Sequence, residues 1–273
     1  TLMRSSAASD VYKRQVYLLE IILAIWLIVL IMLFLPLIVK AGDSGGGGMI
    51  AFTFDDGPNS IQTKRLLDGL SERNAKATFF VVGEKLDFES DRPNIAENRA
   101  LVERMVREGH EIGNHTYTHC WLNKISEEKV AFELSKTNEL IKEITGSTPK
   151  YMRPPGGSAL TAPWVRKLSS PMITVCWGYY DTRDWQCRNV DKMVKTIVEN
   201  TFDGDIILLH DNYETSVETA LRAMDILAKQ GYRFVTIDEL LNRNTGNGWE
   251  LDPMRIYCTM RPGDRSHLKQ VES

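Results

Sequence analysis

Two short clusters hold most of the chemistry this chain could perform. Thr53-Phe54-Asp55-Asp56-Gly57-Pro58 sets two carboxylates side by side before a turn, and His115-Thr116-Tyr117-Thr118-His119 sets two imidazoles four residues apart. One carboxylate and two imidazoles suit a divalent metal and leave part of its coordination shell open, where water loses its proton near neutral pH instead of near ~15.7. The other aspartate is then available as a base. Neighbouring side chains on an extended segment point to opposite sides, so one acid can reach a metal while the other faces water, and the residues alone do not say which. Each cluster also has an ordinary structural reading: Asp-Gly-Pro is turn chemistry, and a histidine pair at i and i+4 shares one face of a helix. Gly113-Asn114 and the threonines around Tyr117 argue instead for a strand end or loop.

Three further clusters lie downstream. Ile206-Ile207-Leu208-Leu209-His210-Asp211 reads as a buried strand that ends abruptly in a histidine and an acid. Asp181-Thr182-Arg183-Asp184-Trp185 offers an acid beside an aromatic side chain. Arg153-Pro154-Pro155-Gly156-Gly157 offers a fixed cation on a stiff turn with exposed backbone.

With these five motifs following one another along the chain at 53–58, 115–119, 153–157, 181–185 and 208–210, residues 49 to about 242 resemble the polysaccharide deacetylase family, the NodB-homology or carbohydrate esterase family 4 group. The resemblance implies that Asp56, His115 and His119 bind one divalent metal. Zn²⁺ is the expected ion, with Co²⁺, Ni²⁺ or Mn²⁺ able to fill similar shells. It implies that Asp55 is the general base, held by Arg153, and that His210 is the general acid, paired with Asp184. Trp185 and Leu208 would line the slot for the acetyl methyl, and the Gly156 N–H would donate to the oxyanion. Many members carry a bulkier residue, often Tyr, where this chain has Gly156, which removes a side-chain wall from the sugar subsite but keeps the donor. These roles agree with elementary chemistry: an amine leaves only when protonated, and a histidine of ordinary pKa near ~6.5 supplies that proton if an acid holds it charged.

Such groups need a scaffold that collects them at one end. Apolar runs at 49–54, 77–82, 111–113, 150–152, 172–177, 205–209 and 233–237 predict strands. Amphipathic stretches at 61–73, 99–108, 126–145, 163–168, 190–200 and 216–230 predict helices, with Ser126 as a start and Gly109, Gly146 and Gly231 as stops. The alternation is that of an α/β chain with a parallel sheet, and every motif follows a strand, where a β/α barrel gathers its catalytic groups. The expected fold is a distorted (β/α) barrel of about seven parallel strands, the NodB-homology type. Residues 84–98 read as a polar loop after the second strand.

The remainder of the chain is organised around that domain. Residues 1–15 read as an adapter or cloning artefact. Residues 16–39 hold one charge, Glu20, and are long enough at ~1.5 Å per residue to cross a ~30 Å hydrocarbon core, so they predict a transmembrane helix. Residues 40–48 read as a Gly-rich linker, 49–242 as the deacetylase domain and 243–273 as a mobile or partly docked tail. Cys120, Cys176, Cys187 and Cys258 allow one or two disulfides of unassigned pairing. His110 and His267 read as surface residues. Trp121, Trp164 and Trp177 are candidates for stacking on sugar rings, with core packing as the ordinary alternative. A net charge of −3 over 273 residues provides no basic field for nucleic acid.

The combined expectation is a monomeric, single-pass membrane protein whose extracytoplasmic domain removes N-acetyl groups from N-acetylglucosamine units of a cell-wall glycan, peptidoglycan first. Chitin oligomers, poly-N-acetylglucosamine and acetylxylan are alternative substrates, and a silent glycan-binding module is the alternative of another class.

Overall fold

The computed structural model describes residues 48–158 and 162–271, together with Trp26. The artefact, the membrane span and nearly all of the linker expected at 1–48 lie outside the described residues. Among the described residues, no helix is long and apolar enough to cross a membrane.

Ten strands are described: β1 Met49–Asp55, β2 Thr78–Val81, β3 Glu111–Asn114, β4 Tyr151–Met152, β5 Ile173–Val175, β6 Ile206–His210, β7 Arg233–Phe234, β8 Trp249–Leu251, β9 Ile256–Tyr257 and β10 Leu268–Gln270. The main sheet runs β6-β1-β2-β3-β4-β5-β9, with β7 on the first residues of β1. Every pairing in it is parallel. An antiparallel bridge between Asp205, just before β6, and Thr259, just after β9, ties the two ends of the sheet and curls it into a barrel. The helices are α1 Gln62–Glu72, α2 Ile95–Arg107, α3 Glu127–Thr145, α4 Pro163–Ser169, α5 Val190–Asn200, α6 Glu214–Lys229 and α7 Ile237–Asn242.

The period-2 alternation of the strands sorts their side chains into two cores. Phe52, Phe54, Phe79, Val81, Ile207 and Leu209 point outward and pack against Leu66, Leu67 and Leu70 of α1 and Val217, Ala220 and Met224 of α6. Ala51, Phe80, Tyr151, Val175, Ile206 and Tyr257 form a second cluster on the inner face, joined by Leu240 and Leu241 of α7. Polar residues take over that inner face toward the strands' C-terminal ends. The register of β1 on β6 pairs Ala51 with Ile206, then Thr53 with Leu208, then Asp55 with His210.

All seven expected strands form, and α5 has the expected limits. Ser126 caps α3 by accepting the Lys129 N–H, and Gly146 ends it with φ of 79°. Three expectations need correction. α2 begins at Ile95, four residues early, which shortens the expected 84–98 loop. α7 was not expected; its N-terminus is capped by the Thr236 hydroxyl. Of the two readings of the stretch after 242 the docked one holds, and not just partly: β9 pairs with β5 in the main sheet, and Tyr257 and Met260 are buried. A two-residue strand is too short to show periodicity, so nothing in 243–273 marked it. The barrel therefore has seven strands along its path, but β9 takes the seventh place and β7 sits beside β1.

Candidate active site

The site sits where the inner face turns polar. β1 ends in Asp55, and the chain then leaves the strand at Asp56 with φ of 70°. Thr116 and His119 also have positive φ, of 67° and 60°. Such conformations are unfavourable for residues with a Cβ, most of all for β-branched threonine, and persist where the surroundings enforce them. At Asp56 and around Thr116 polar side chains of the surrounding segments and of α3 hold the backbone in place. Lys85 donates from Nζ to the Asp56 carbonyl at 2.6 Å. The Asn114 side chain accepts the Thr116 N–H at 2.8 Å. Glu133 of α3 accepts the N–H groups of Tyr117 and Thr118 at 2.8 and 2.7 Å and the Thr118 hydroxyl at 2.7 Å. Gly57 is required because a Cβ there would lie 2.4 Å from the Asp211 carboxylate. Burial pushes the Asp211 pKa up to about 6.

Asp56, His115 and His119 converge, with one ligand atom of each within 4.8 Å of the others. Asp56 Oδ1 lies 3.2 Å from His115 Nε2 and 2.9 Å from His119 Nε2. His115 Nδ1 is 2.6 Å from the Arg153 carbonyl. Nδ1 must therefore carry the proton there, which leaves a lone pair on Nε2, the arrangement that second-shell bonds impose on metal-binding histidines. Asp56 Oδ1 is buried and has no hydrogen-bond partner. Lone pairs of an anion and an imidazole facing one another at about 3 Å repel unless a cation lies between them, and ligands at ~2.0–2.1 Å from one ion have about this separation. The donor set fits a divalent metal. Cys120 is not part of it.

Asp55 faces the same space from the other side of the strand's end. Arg153, fully buried, donates from Nη1 to Asp55 Oδ1 at 2.8 Å and to the Thr53 hydroxyl at 2.7 Å, and from Nη2 to the Cys176 carbonyl at 2.7 Å. Its guanidinium lies 4.4 Å from the centre of the Phe80 ring. Gly113 makes room for that ring, since a Cβ there would be 2.4 Å from it.

His210, opposite Asp55 in register, has Nε2 4.0 Å from Asp56 Oδ2. Its Nδ1 is 2.8 Å from Asp184 Oδ1, and its backbone N–H donates to Asp184 Oδ2 at 2.7 Å. Ser216 of α6 donates to the same Oδ2 at 2.6 Å. Burial works to lower the His210 pKa, but the hydrogen bond and charge of Asp184, with Asp55 and Asp56 adding, push it up to about 9. Leu208 lies two residues earlier on the same face of β6, and Trp185 stands half-exposed after Asp184. The 3-10 turn Pro155–Gly157 places Gly156 at φ of 58°. The turn's own hydrogen bonds come from the N–H groups of Gly157 and Ser158 and do not use that of Gly156.

The structure thus brings Asp55, Asp56, His115, His119, Arg153, Asp184 and His210 together. Sequence reasoning missed Lys85, Asn114, Glu133 and Ser216. For Glu133 a signal existed: it lies between Val130, Leu134 and Thr137 on the buried face of α3, where an acid is out of place unless paired. His110 is not a surface residue. It is buried, its Nδ1 accepts the Ala77 N–H, and burial lowers its pKa to about 4. The four cysteines are free thiols. Cys176 and Cys258 are in contact at the ends of β5 and β9, and the hydrogen bond from the Cys258 thiol draws the Cys176 pKa down.

Comparison with known proteins adds the lineage. A family model described as polysaccharide deacetylase matches residues 42–169. A peptidoglycan-N-acetylglucosamine deacetylase of Bacillus cereus is 37% identical over 197 residues, covering 71% of this chain and 88% of that protein. The peptidoglycan-N-acetylglucosamine deacetylase PgdA of Listeria monocytogenes is 39% identical over 191 residues, 70% of this chain, which spans only 38% of that longer relative. Among solved structures, a family 4 acetyl xylan esterase from Clostridium thermocellum, in complex with a cobalt ion, superposes with a TM-score of 0.67 at 33% identity, covering 77% of this chain and 98% of that one. The curled parallel sheet, the Asp-His-His group and these relatives place the chain in the polysaccharide deacetylase family.

Proposed function

We propose that the protein hydrolyses N-acetyl groups of N-acetylglucosamine units in peptidoglycan, releasing acetate and a free amino sugar. The observation that carries this reading is the pairing of Asp55 with His210 in register across β1 and β6, both beside the Asp56–His115–His119 group, with Asp55 Oδ2 3.7 Å from His115 Nε2 and His210 Nε2 4.0 Å from Asp56 Oδ2.

A divalent ion held by Asp56, His115 and His119, zinc by our reading, supplies Lewis acidity that polarises a carbonyl and lowers the pKa of water. Asp55, fixed by Arg153, takes the proton from the attacking water. The Gly156 N–H donates to the developing oxyanion, which is where a preorganised donor is worth most. His210, held charged by Asp184, gives its proton to the departing amine nitrogen, and a neutral amine leaves. Leu208 and Trp185 bound the space for the acetyl methyl. A binding module requires neither the Arg153–Asp55 nor the Asp184–His210 pair. Peptidoglycan is favoured by the two bacterial relatives named above, while the acetyl xylan esterase shows that the same fold serves acetylated glycans of another kind. The apolar run 16–39 supports a domain tethered outside the cell membrane; protease accessibility on intact cells checks that placement.

The test is acetate release by the full chain with added zinc, on peptidoglycan and on a chitin oligomer. Asp55→Asn and His210→Ala are each expected to lose at least ~10²-fold in kcat. Undiminished release by either variant overturns its assigned role, and no release from either glycan overturns the reading. Zinc is also expected to raise the melting temperature of the native protein and not that of Asp56→Ala, because only a folded site binds it.

A further inference from the structure

Gly156 leaves an opening at the oxyanion turn, and one side chain stands in it. A Cβ added at Gly156 would lie 3.2 Å from Cε2 and 3.3 Å from both Cζ2 and Nε1 of Trp121. The indole therefore rests against the glycine, beside the N–H assigned to the oxyanion and two residues beyond His119. A larger residue at 156 would displace it. Three contacts fix its place. The Leu122 N–H donates to Ser158 Oγ at 3.3 Å, tying the loop to the turn. Leu122 itself is fully buried. The Lys124 ammonium lies over one face of the ring at 4.2 Å. Yet Trp121 is 51% exposed.

The two other tryptophans singled out for stacking on sugar rings behave differently: Trp164 packs on the Leu122–Met152–Val165 cluster, and Trp177 is partly covered. A large aromatic side chain that is held in position but kept out of the core presents a binding surface. The ligand that suits it is a pyranose in the β-gluco configuration. Its hydroxyls are equatorial and its ring hydrogens axial, so each face is apolar and matches the π face of an indole.

Building on the deacetylase reading, we propose that Trp121 is the sugar platform of this site: the β-linked N-acetylhexosamine stacks on the part of the indole that Gly156 and Lys124 leave exposed. The wall that bulkier family members raise from the oxyanion turn is here supplied by the loop after β3.

The experiment compares wild type, Trp121→Ala and Trp121→Phe in the full zinc-loaded chain, with a chitin oligomer and with 4-nitrophenyl acetate, which carries an acetyl group and no sugar. Trp121→Ala is expected to raise the oligomer KM about tenfold with a much smaller change in kcat, and Trp121→Phe to restore most of it. An oligomer KM equal to that of wild type overturns the proposal, as does an equal KM rise on the aryl ester. If the wild type releases no acetate from the oligomer, the hydrolase reading is decided separately, by acetate release from peptidoglycan. Calorimetric titration of the oligomer into wild type and Trp121→Ala then decides the platform, weaker binding by the variant supporting it and equal binding or none overturning it.

Discussion

Arg153 is the side chain on which the reaction centre hangs. It has no exposure to solvent, yet its guanidinium holds Asp55, the Thr53 hydroxyl and the Cys176 carbonyl and stacks on Phe80. A lysine keeps the charge but not the planar fork, so it cannot serve a carboxylate and a carbonyl on two sides. Arg153→Lys is expected to lower stability by about 2 kcal/mol or more, read by urea unfolding, and kcat on the order of 10²-fold through a displaced Asp55. A variant with native kcat would deny Arg153 its positioning role. At this scale the sequence was informative because the reacting groups declare themselves by type: paired acids, paired imidazoles, a histidine at the end of an apolar run. Lys85, Asn114 and Ser216 did not declare themselves. They act on backbone or on another side chain, through loops that meet only in the folded molecule, and carry no local pattern.

Elements were legible in proportion to their length. β1 and β6 have several inward and outward positions each and could be read from alternation, and α3 has both a capping serine and a terminal glycine. α7 has six residues and β9 two, too few for either period to repeat. α7 is nevertheless pinned firmly. Glu111, at the start of β3, accepts the Asp238 N–H at 3.0 Å and the Thr78 hydroxyl at 3.0 Å, and the same hydroxyl accepts the Ile237 N–H at 2.9 Å. Burial pushes the Glu111 pKa up to about 7, against those hydrogen bonds. The unfolded chain releases this proton near pH 4.5 and the folded one near 7. The native state thus binds more protons in that window, and stability falls as pH rises through it, by on the order of 3 kcal/mol. Glu111→Gln accepts the same bonds without titrating. Its urea midpoint is expected to vary less between pH 4.5 and 7.5 than that of the wild type, and parallel curves would refute the assignment.

At the scale of the folded domain, the barrel is closed by residues that the sequence had consigned to a tail. Tyr257, Met260 and Leu268 belong to the inner core, and the Met260 N–H donates to the Gly204 carbonyl at 2.8 Å beside the Asp205–Thr259 bridge. A chain ended after Asn242 loses all of this, with a cost of several kcal/mol for the buried side chains alone, roughly 2–5 for each large one. It is expected to be insoluble or to unfold without a sharp transition, as calorimetry would register. A soluble, cooperatively folding truncation would show that β9 is dispensable.

The same closure bears on how the chain comes to be folded at all. β1 lies between β2, which follows it closely, and β6, whose Ile207 carbonyl accepts the Thr53 hydroxyl across a separation of 154 residues. Contacts so distant must be reached by diffusion of a long loop and make folding slow. At a synthesis rate of about 5–20 residues per second, one edge of this apolar strand waits on the order of ten seconds or more before its neighbour exists. During that time it is a bare template for pairing with other chains.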